Sequence, residues 1–264
     1  MRRLHKNSMH RFFVDTIPNS EKPIIISGEI AHQICKVLRM RPGDSIVLCP
    51  GDGEEYTVRL STVSRDSVVG EVMGHSQGQG EPLHAVTLYL SLLNKPDKFE
   101  WALQKCTELG VSAVVPVLAE RSVAGPPDSG RRQRWQRIMR EAAEQSGRSR
   151  TPRLGNELAF PASVENALGQ GGTIALLAAP GTPQFLRDLL RERAPVQGVS
   201  VMVGPEGGFT EGEISLAAGR GVTSFGLGPR TLRAETAAVT ALALIMHELG
   251  ELGSSSDRGP RTEG

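Results

Sequence analysis

The spacing of apolar and polar residues changes along the chain and predicts two different kinds of structure. Three short strands are predicted at residues 45–48, 55–63 and 67–72, with Gly-, Asp- and Ser-rich turns between them. A helix is predicted over residues 28–39, where apolar side chains recur at helical spacing. Short strands at this spacing indicate a small β-barrel in the first part of the chain.

From residue 85 onward the pattern alternates between strands and helices. Apolar runs predict five strands, at residues 86–93, 111–118, 173–178, 199–203 and 222–227. Helical spacing and capping signals predict helices in the connections, at residues 97–109, 131–146, 183–193, after Thr210, and 234–249. Strands that alternate with helices are typical of an α/β domain with a parallel sheet.

These patterns divide the chain into five segments. We expect a flexible extension (1–8), a β-barrel domain (9–74), a polar Gly-rich linker (75–83), an α/β domain (84–252) and a disordered polar tail (253–264).

Two strand-to-helix junctions near the C-terminus carry the strongest chemical signal. Residues 199–203 lead into Gly-Pro-Glu-Gly-Gly at 204–208, and residues 222–227 lead into Gly-Pro-Arg at 228–230. Ligands bind at the carboxyl ends of strands in parallel sheets, where glycines let the backbone approach a ligand closely. If the two strands are neighbours, the loops form one small-molecule pocket; the alternative is a pair of tight turns.

Net charge is +1, but its distribution is uneven. Residues 121–153 contain nine arginines and three acidic residues. Arginine suits bidentate phosphate recognition, so this block favours a nucleic-acid partner. The alternative is a solvated helix face in an arginine-rich chain, since arginines outnumber lysines 24 to 6 overall.

Several classes of function lose support. The three cysteines, Cys35, Cys49 and Cys106, are far apart and form no C-x-x-C pair, so neither a disulfide framework nor a metal site is expected. No apolar run is long enough for a membrane span, and no signal core follows the N-terminus. We expect a soluble, cytoplasmic protein with no metal. Phosphate-loop, dinucleotide and serine-hydrolase motifs are absent from the sequence.

The C-terminal loops resemble the cofactor loops of SPOUT methyltransferases. The match rests on GPEGG followed by TEGEI at 210–214, and on LGPRTLRAETA at 227–237. Further motifs are similar to the RsmE family, the small-subunit (16S) rRNA uridine-N3 methyltransferases, in the order RFFV, VLR with RPGD, QKCTELG, ERS and EQSGR. The resemblance covers residues 9 to about 250.

The resemblance implies a PUA-like RNA-binding barrel followed by an α/β domain with a deep trefoil knot. It also implies S-adenosylmethionine as cofactor, a homodimer whose active site borrows from both subunits, and 16S rRNA, within the small ribosomal subunit, as partner. The residues that would bind the cofactor are Gly204, Pro205, Glu206, Gly207, Gly208, Leu227, Gly228, Leu232, Arg233 and Ala234. Glycine at 207 and 208 would avoid a collision with the cofactor, or would serve a turn with positive φ.

Uridine N3 carries a proton that must leave before or during methylation. Arg233 is the candidate for stabilising the uridine anion, and Glu235 the candidate for taking the proton; Glu235 as a first-turn helix charge is the alternative. Arg11, Arg121, Gln145 and Arg148 are candidates for RNA contacts, with local hydrogen bonding as the alternative. Two other functions stay open: a sister SPOUT enzyme that methylates a ribose 2′-hydroxyl or a tRNA base, and a non-catalytic ribosome assembly factor.

Overall fold

The computed structural model describes residues 9–15, 17, 23–193 and 195–253. The predicted extension and all but the first residue of the predicted tail lie outside these residues. The chain divides into two compact units. The first comprises Met1–Glu81 and Ala143–Thr151, and the second comprises Pro82–Ala142 and Pro152–Gly264.

The first unit is built on a five-stranded sheet that packs over a main hydrophobic core. The strands are β1 (His10–Phe13), β2 (Ile24–Ser27), β3 (Ser45–Cys49), β4 (Glu54–Val63) and β5 (Ser67–Gln77), in the order β1-β3-β4-β5-β2. Strand β1 pairs parallel to β3, and the other pairs are antiparallel. In β2, buried and exposed side chains alternate as expected for a strand with one face on a core: Ile24 and Ile26 are buried, while Ile25 is exposed.

Helix α1 (Gly28–His32) continues as a π-helical turn (Gln33–Val37) and packs Ala31 and Ile34 into this core. The predicted helix over 28–39 therefore ends two residues early. Arg39, which the periodicity included in the helix, has φ of 54°. A left-handed residue cannot continue a right-handed helix.

Residues 143–151 belong to the first unit because they pack on β1 and β3. Ala143 lies in a small apolar cluster with Phe13, Val47 and Cys49. The Phe13 N–H donates to Glu144 Oε1 at 3.0 Å. No sequence pattern predicts that residues 143–151 pack on the first unit, because the contact joins residues about 130 positions apart.

The second unit is an α/β sheet covered by helices on both faces. Its parallel strands are β6 (Ala85–Ser91), β7 (Ala113–Leu118), β8 (Arg153–Leu154), β9 (Leu158–Ala159), β10 (Thr173–Ala178), β11 (Gly198–Val203) and β12 (Thr223–Phe225). The order is β12-β10-β11-β6-β7-β8, with β9 also pairing β7. The five predicted strands are present, and the two-residue strands β8 and β9 were not predicted.

Within the described residues six helices accompany these strands, and the last of them follows β12: α2 (Pro96–Glu108), α3 (Ser129–Ser146), α4 (Phe160–Leu168), α5 (Leu186–Glu192), α6 (Glu211–Arg220) and α7 (Ala234–Glu248). Alternate strand residues feed two separate cores. Val199 and Val201 face the core that holds α2 and α7, while Met202 faces the core that holds α4 and α6. Burial on both faces explains why the strands read as continuous apolar runs.

The first residues of the predicted linker are strand, because β5 extends to Gln77. The boundary between the two units falls between Glu81 and Pro82. No helix in the described ranges is both long and apolar enough to span a membrane. Nor do three or more His, Cys, Asp or Glu side chains cluster there in a way that could hold a metal ion.

Candidate active site

A cavity of about 390 Å³ lies at the carboxyl ends of three parallel strands, β10, β11 and β12. Its walls are mostly backbone and apolar side chains, and among the described residues three ionisable side chains border it: Arg121, Glu206 and Arg230. The carboxyl edge of a parallel sheet is where small molecules bind in α/β folds. The volume is within the range of small-molecule sites, about 300–1,000 Å³.

The structure brings nine of the ten predicted cofactor residues around this cavity. They are Gly204, Pro205, Glu206, Gly207, Gly208, Leu227, Gly228, Leu232 and Ala234. The tenth, Arg233, is exposed and does not line the cavity.

The two loops meet although their strands are not neighbours. Strand β10 lies between β11 and β12, and its end adds Ala178, Ala179 and Pro180 to the lining. These three residues were not predicted to bind the cofactor, although the sequence contains a signal for them. Residues 179–183 read Ala-Pro-Gly-Thr-Pro, which is a third Gly/Pro-rich strand ending of the same kind.

The glycines of the 204–208 loop have distinct physical roles. Gly208 has φ of 68° and donates its N–H to the Pro205 carbonyl at 2.8 Å, so the turn itself favours glycine. A Cβ on Gly204 would lie 3.1 Å from the Phe209 nitrogen. A Cβ on Gly207 would lie 3.3 Å from Arg121 Cδ. The turn explanation therefore holds for Gly208, and close packing by Arg121 constrains Gly207.

Neighbouring loops tie this loop in place. The Asn94 N–H donates to Glu206 Oε1 at 3.0 Å, and Arg121 donates to the Gly207 carbonyl at 2.9 Å. The carboxylate of Glu206 thus bonds the loop after β6, although Glu206 is exposed. These contacts give both side chains a structural role at the edge of the cavity.

Helix α6 begins with the predicted capping box. Thr210 Oγ1 accepts from the Glu213 N–H, and Glu213 Oε2 accepts from the Thr210 N–H. The other carboxylate oxygen of Glu213 accepts from the Glu120 N–H at 2.8 Å. One buried carboxylate therefore fixes both the start of α6 and the loop after β7.

The two candidate catalytic residues lie at the start of α7 in different surroundings. Arg233 is the exposed residue that precedes the helix. Glu235 is buried, with 7% of its surface exposed, and its carboxylate lies 3.5 Å from Lys98 Nζ on α2. Glu235 does not line the cavity. This geometry favours the alternative in which Glu235 is a first-turn helix charge.

The candidate RNA-contact residues differ in how free their side chains are. Arg11 pairs with Glu55 at 2.6 Å and also donates to Cys49 Sγ. Arg148 is buried and forms a two-pronged pair with Glu81. Local hydrogen bonding therefore engages both guanidinium groups.

Gln145, by contrast, is exposed, and Arg121 is exposed although its guanidinium donates to the Gly207 carbonyl. Other arginines of the basic block are also engaged. Arg132 contacts Glu157, and Arg134 contacts Glu100. Three of the nine arginines between residues 121 and 153 therefore pair with carboxylates within the chain.

Comparison with known proteins identifies the family. A family model for an RNA methyltransferase domain matches residues 79–246, and one for an RNA methyltransferase PUA domain matches residues 26–73. A Bacillus subtilis (strain 168) protein named ribosomal RNA small subunit methyltransferase E is 34% identical, over 91% of this chain and 97% of the relative. The chain belongs to the ribosomal RNA small subunit methyltransferase E family.

Other members agree with this assignment. The Synechocystis relative is 35% identical, over 85% of this chain and 73% of its own. The crystal structure of the Neisseria gonorrhoeae methyltransferase E bound to S-adenosyl methionine matches with a TM-score of 0.82 and 30% identity, covering 90% of this chain and 97% of that one.

A putative Legionella pneumophila methyltransferase in complex with the same cofactor has a TM-score of 0.80 and 28% identity, covering 90% and 97% of the two chains. The family resemblance, the parallel sheet and the PUA-like N-terminal domain are confirmed.

Proposed function

We propose that this chain is an S-adenosylmethionine-dependent methyltransferase that modifies uridine N3 in small-subunit (16S) ribosomal RNA, within the small ribosomal subunit. The observation that carries the proposal is the cavity at the ends of β10, β11 and β12 in a chain of this family. We assign its action to the cytoplasm, where ribosomal subunits are assembled.

The lining of the cavity fits the proposed cofactor. S-adenosylmethionine combines a flat aromatic base with a charged amino-acid end. Apolar contacts are offered by Ile214, Leu227 and Leu232, and backbone groups by the 204–208 loop. Arg121 and Glu206 stand at the border with opposite charges, which suits the carboxylate and ammonium groups of the cofactor.

The cofactor supplies a methyl group already activated on a sulfonium, so the chain must bind, orient and exclude water. Arg233 is proposed to stabilise negative charge on the uridine oxygens as the N3 proton passes to water. Its exposed position next to the cavity residues Leu232 and Ala234 supports this role, because the side chain stays available to an incoming base.

Glu235 is the second candidate, and its surroundings support a positioning role more than proton transfer. The Glu235 carboxylate lies 3.5 Å from Lys98 Nζ on α2 and does not line the cavity, so it contacts a neighbouring helix and not the site of the incoming base. In the first turn of α7 it also interacts favourably with the helix dipole. We propose that the Glu235–Lys98 pair holds the start of α7, and thereby Arg233, in place.

Arg121 and Gln145 stay in the proposal as RNA contacts because both are exposed. Arg11 and Arg148 are kept as weaker candidates. Each would have to share a guanidinium group that already pairs with a carboxylate.

A homodimer is part of the proposal. Phe185 and Leu244 are 70% and 40% exposed, and both border an apolar groove that also includes Leu227 and Gly228. Large exposed apolar side chains around one groove favour protein association. A second copy bound there would bring its residues beside the 227–228 loop, as an active site shared between subunits requires.

A deep trefoil knot also belongs to the proposal. The segment after β12 passes very close to the segment after β10: Gly226 donates to the Gln184 carbonyl, and a Cβ on Gly226 would overlap the Thr182 carbonyl oxygen. Tightly apposed chain segments are what a knot needs at this point. A crystal structure with an unknotted backbone trace would contradict it.

The activity is tested by supplying S-adenosylmethionine with a radiolabelled methyl group together with small ribosomal subunits, large subunits or tRNA. We expect label only in small-subunit RNA. Label in tRNA or in large-subunit RNA would support a sister SPOUT enzyme instead. If the chain bound small-subunit RNA but transferred no label and bound no cofactor, it would act as an assembly factor.

A further inference from the structure

The end of the π-helical segment in the first unit and the turn that follows it concentrate exposed positive charge. Lys36, Arg39 and Arg41 are all exposed, and no acidic residue occurs between positions 30 and 43. Within the described residues, none of the three side chains lies within ion-pair distance of a carboxylate. Here "the Arg39 turn" denotes residues 36–41.

Several arginines elsewhere in the chain already pair with carboxylates. Arg11, Arg132, Arg134 and Arg148 each contact a glutamate. A paired guanidinium has given up part of its capacity to bind an outside anion. The cations of the Arg39 turn keep that capacity, although the turn lies outside the arginine-rich block.

Arg39 also occupies a backbone conformation that does not suit arginine. Its φ is 54°, and every other described residue with positive φ is a glycine. The conformation is fixed by the end of the helix, where the Leu38 N–H donates to the Gln33 carbonyl and the Met40 N–H donates to the Ile34 carbonyl. Glycine is the usual residue at such a helix end because it adopts positive φ without a Cβ penalty.

We propose that Arg39 is a binding residue for the phosphodiester backbone of the RNA substrate. Backbone strain that persists where a better residue exists is found at sites where the side chain is needed for function. An exposed, unpaired guanidinium group is well suited to phosphate oxygens, and Lys36 and Arg41 reinforce the local positive field. The inference rests on the proposed RNA-modifying function and adds a contact to it.

The test compares the Arg39→Gly and Arg39→Ala variants of the full chain with the wild type. Both substitutions remove the charge, but only glycine also relieves the strain. Arg65→Ala is the matched control, since Arg65 is another exposed arginine of the same unit, in the turn between β4 and β5. Binding of radiolabelled small-subunit rRNA is measured by filter retention at several salt concentrations, and the melting temperature is measured for each protein.

We expect both Arg39 variants to bind RNA on the order of tenfold more weakly, with the salt dependence reduced by about one unit. Arg39→Gly should melt at or above the wild-type temperature and above Arg39→Ala. Arg65→Ala should leave RNA binding unchanged.

Unchanged affinity and salt dependence in Arg39→Gly would overturn the proposal, and so would a lower melting temperature, which would indicate a structural role. Transfer of labelled methyl groups by the wild type tests the proposed function separately. A wild type that binds RNA without transferring methyl groups would contradict the activity while the Arg39 comparison still stands. A wild type that binds no RNA would overturn both.

Discussion

At the scale of single residues, Gly207 is the position where the 204–208 loop packs against Arg121. The side chain of Arg121 lies against the position that a Cβ at residue 207 would occupy, and its guanidinium donates to the carbonyl of the same residue. A larger side chain there would press on Arg121, which must shift by a few tenths of an ångström, and would add bulk beside the cavity that both residues border.

We therefore expect Gly207→Val to weaken S-adenosylmethionine binding at least on the order of tenfold, about 1.4 kcal/mol, while the protein stays folded. The control is Gly219→Val, since Gly219 lies in α6, outside the cavity lining, and a Cβ there meets no atom within 4 Å. Calorimetric titration measures the affinity, and circular dichroism checks folding. Unchanged binding in Gly207→Val would show that this loop does not form the cofactor site.

A substitution at Glu235 distinguishes between two roles for this residue, a catalytic base and a charge that positions the start of α7. If it positions the start of α7 through Lys98, Glu235→Gln should keep methyl transfer within about threefold and cost about 1 kcal/mol of stability, through the lost ion pair and dipole interaction. Single-turnover methylation and urea unfolding measure the two effects. A general base contributes about 10²–10⁴-fold, so a loss of that size without a stability change would identify Glu235 as the base.

Burial controls the chemistry of the cysteines. Cys106 is fully buried on α2, and this burial raises the pKa of its thiol from 9.0 to about 12. Burial also raises the pKa of Cys49, although Arg11 opposes the shift. Cys35 is only half-buried. Since the thiolate is the reactive form, Cys49 and Cys106 should be inert in the folded protein.

We expect a maleimide at pH 8 to label Cys35 rapidly and the other two cysteines only after unfolding, so that a Cys35→Ser variant shows no rapid labelling. Mass spectrometry of labelled peptides measures the labelling. Rapid labelling of Cys106 in native protein would contradict the buried environment.

Because the pKa of the Cys106 thiol is higher in the folded state, its contribution to stability is present below pH 9 and is lost between about pH 9 and pH 12.

The sequence predicted which residues lie together around the cavity better than it predicted the partners of their side chains. Nine of the ten expected cofactor residues surround one cavity, because contiguous loop motifs keep their residues together. The arginines were less predictable. Arg148 meets Glu81 across 67 positions and Arg134 meets Glu100 across 34, and local charge counts cannot detect such pairs. Glu235 looked available for the same reason, since Lys98 is far away in sequence.

At the scale of elements, the start of α6 depends on a single side chain, that of Glu213. The carboxylate of Glu213 accepts from the Thr210 N–H inside the capping box and from the Glu120 N–H outside it. Glu213 is also buried, with 8% of its surface exposed. Loss of this carboxylate leaves two backbone donors without a partner.

We expect Glu213→Ala to cost about 2–3 kcal/mol, the sum of a lost cap and a lost buried hydrogen bond. The matched control is Glu211→Ala, an exposed glutamate in the first turn of the same helix, which should change stability by less than about 1 kcal/mol. Urea unfolding measures both variants. Equal effects would mean that general helix charge, and not the bonds of Glu213, stabilises this element.

The predictability of each element followed its length and its periodicity. The five long apolar runs are strands, because burial on both faces leaves a strong signal. Strands β8 and β9 have two residues each, which is too short for any pattern. The spacing of apolar residues predicts a helix over residues 28–39, but a π-helical turn and the positive φ of Arg39 end it at Val37.

At the scale of the whole molecule, the proposed homodimer depends on the groove bordered by Phe185 and Leu244. A charge placed there would have to be buried in the dimer, which is costly without a partner. We expect Leu244→Glu to shift the protein from dimer to monomer in sedimentation experiments and to abolish methylation, with its melting temperature changed only slightly. A dimeric and active Leu244→Glu variant would exclude this groove as the interface.

The central claim is the identity of the reaction, and the methylated nucleoside tests it most directly. The full chain would be incubated with S-adenosylmethionine and small ribosomal subunits that lack the modification, and the digested rRNA would be analysed by mass spectrometry. We predict N3-methyluridine as the single new nucleoside, absent when Arg233→Ala replaces the wild type. A 2′-O-methylated or other nucleoside, or no new nucleoside at all, would contradict it.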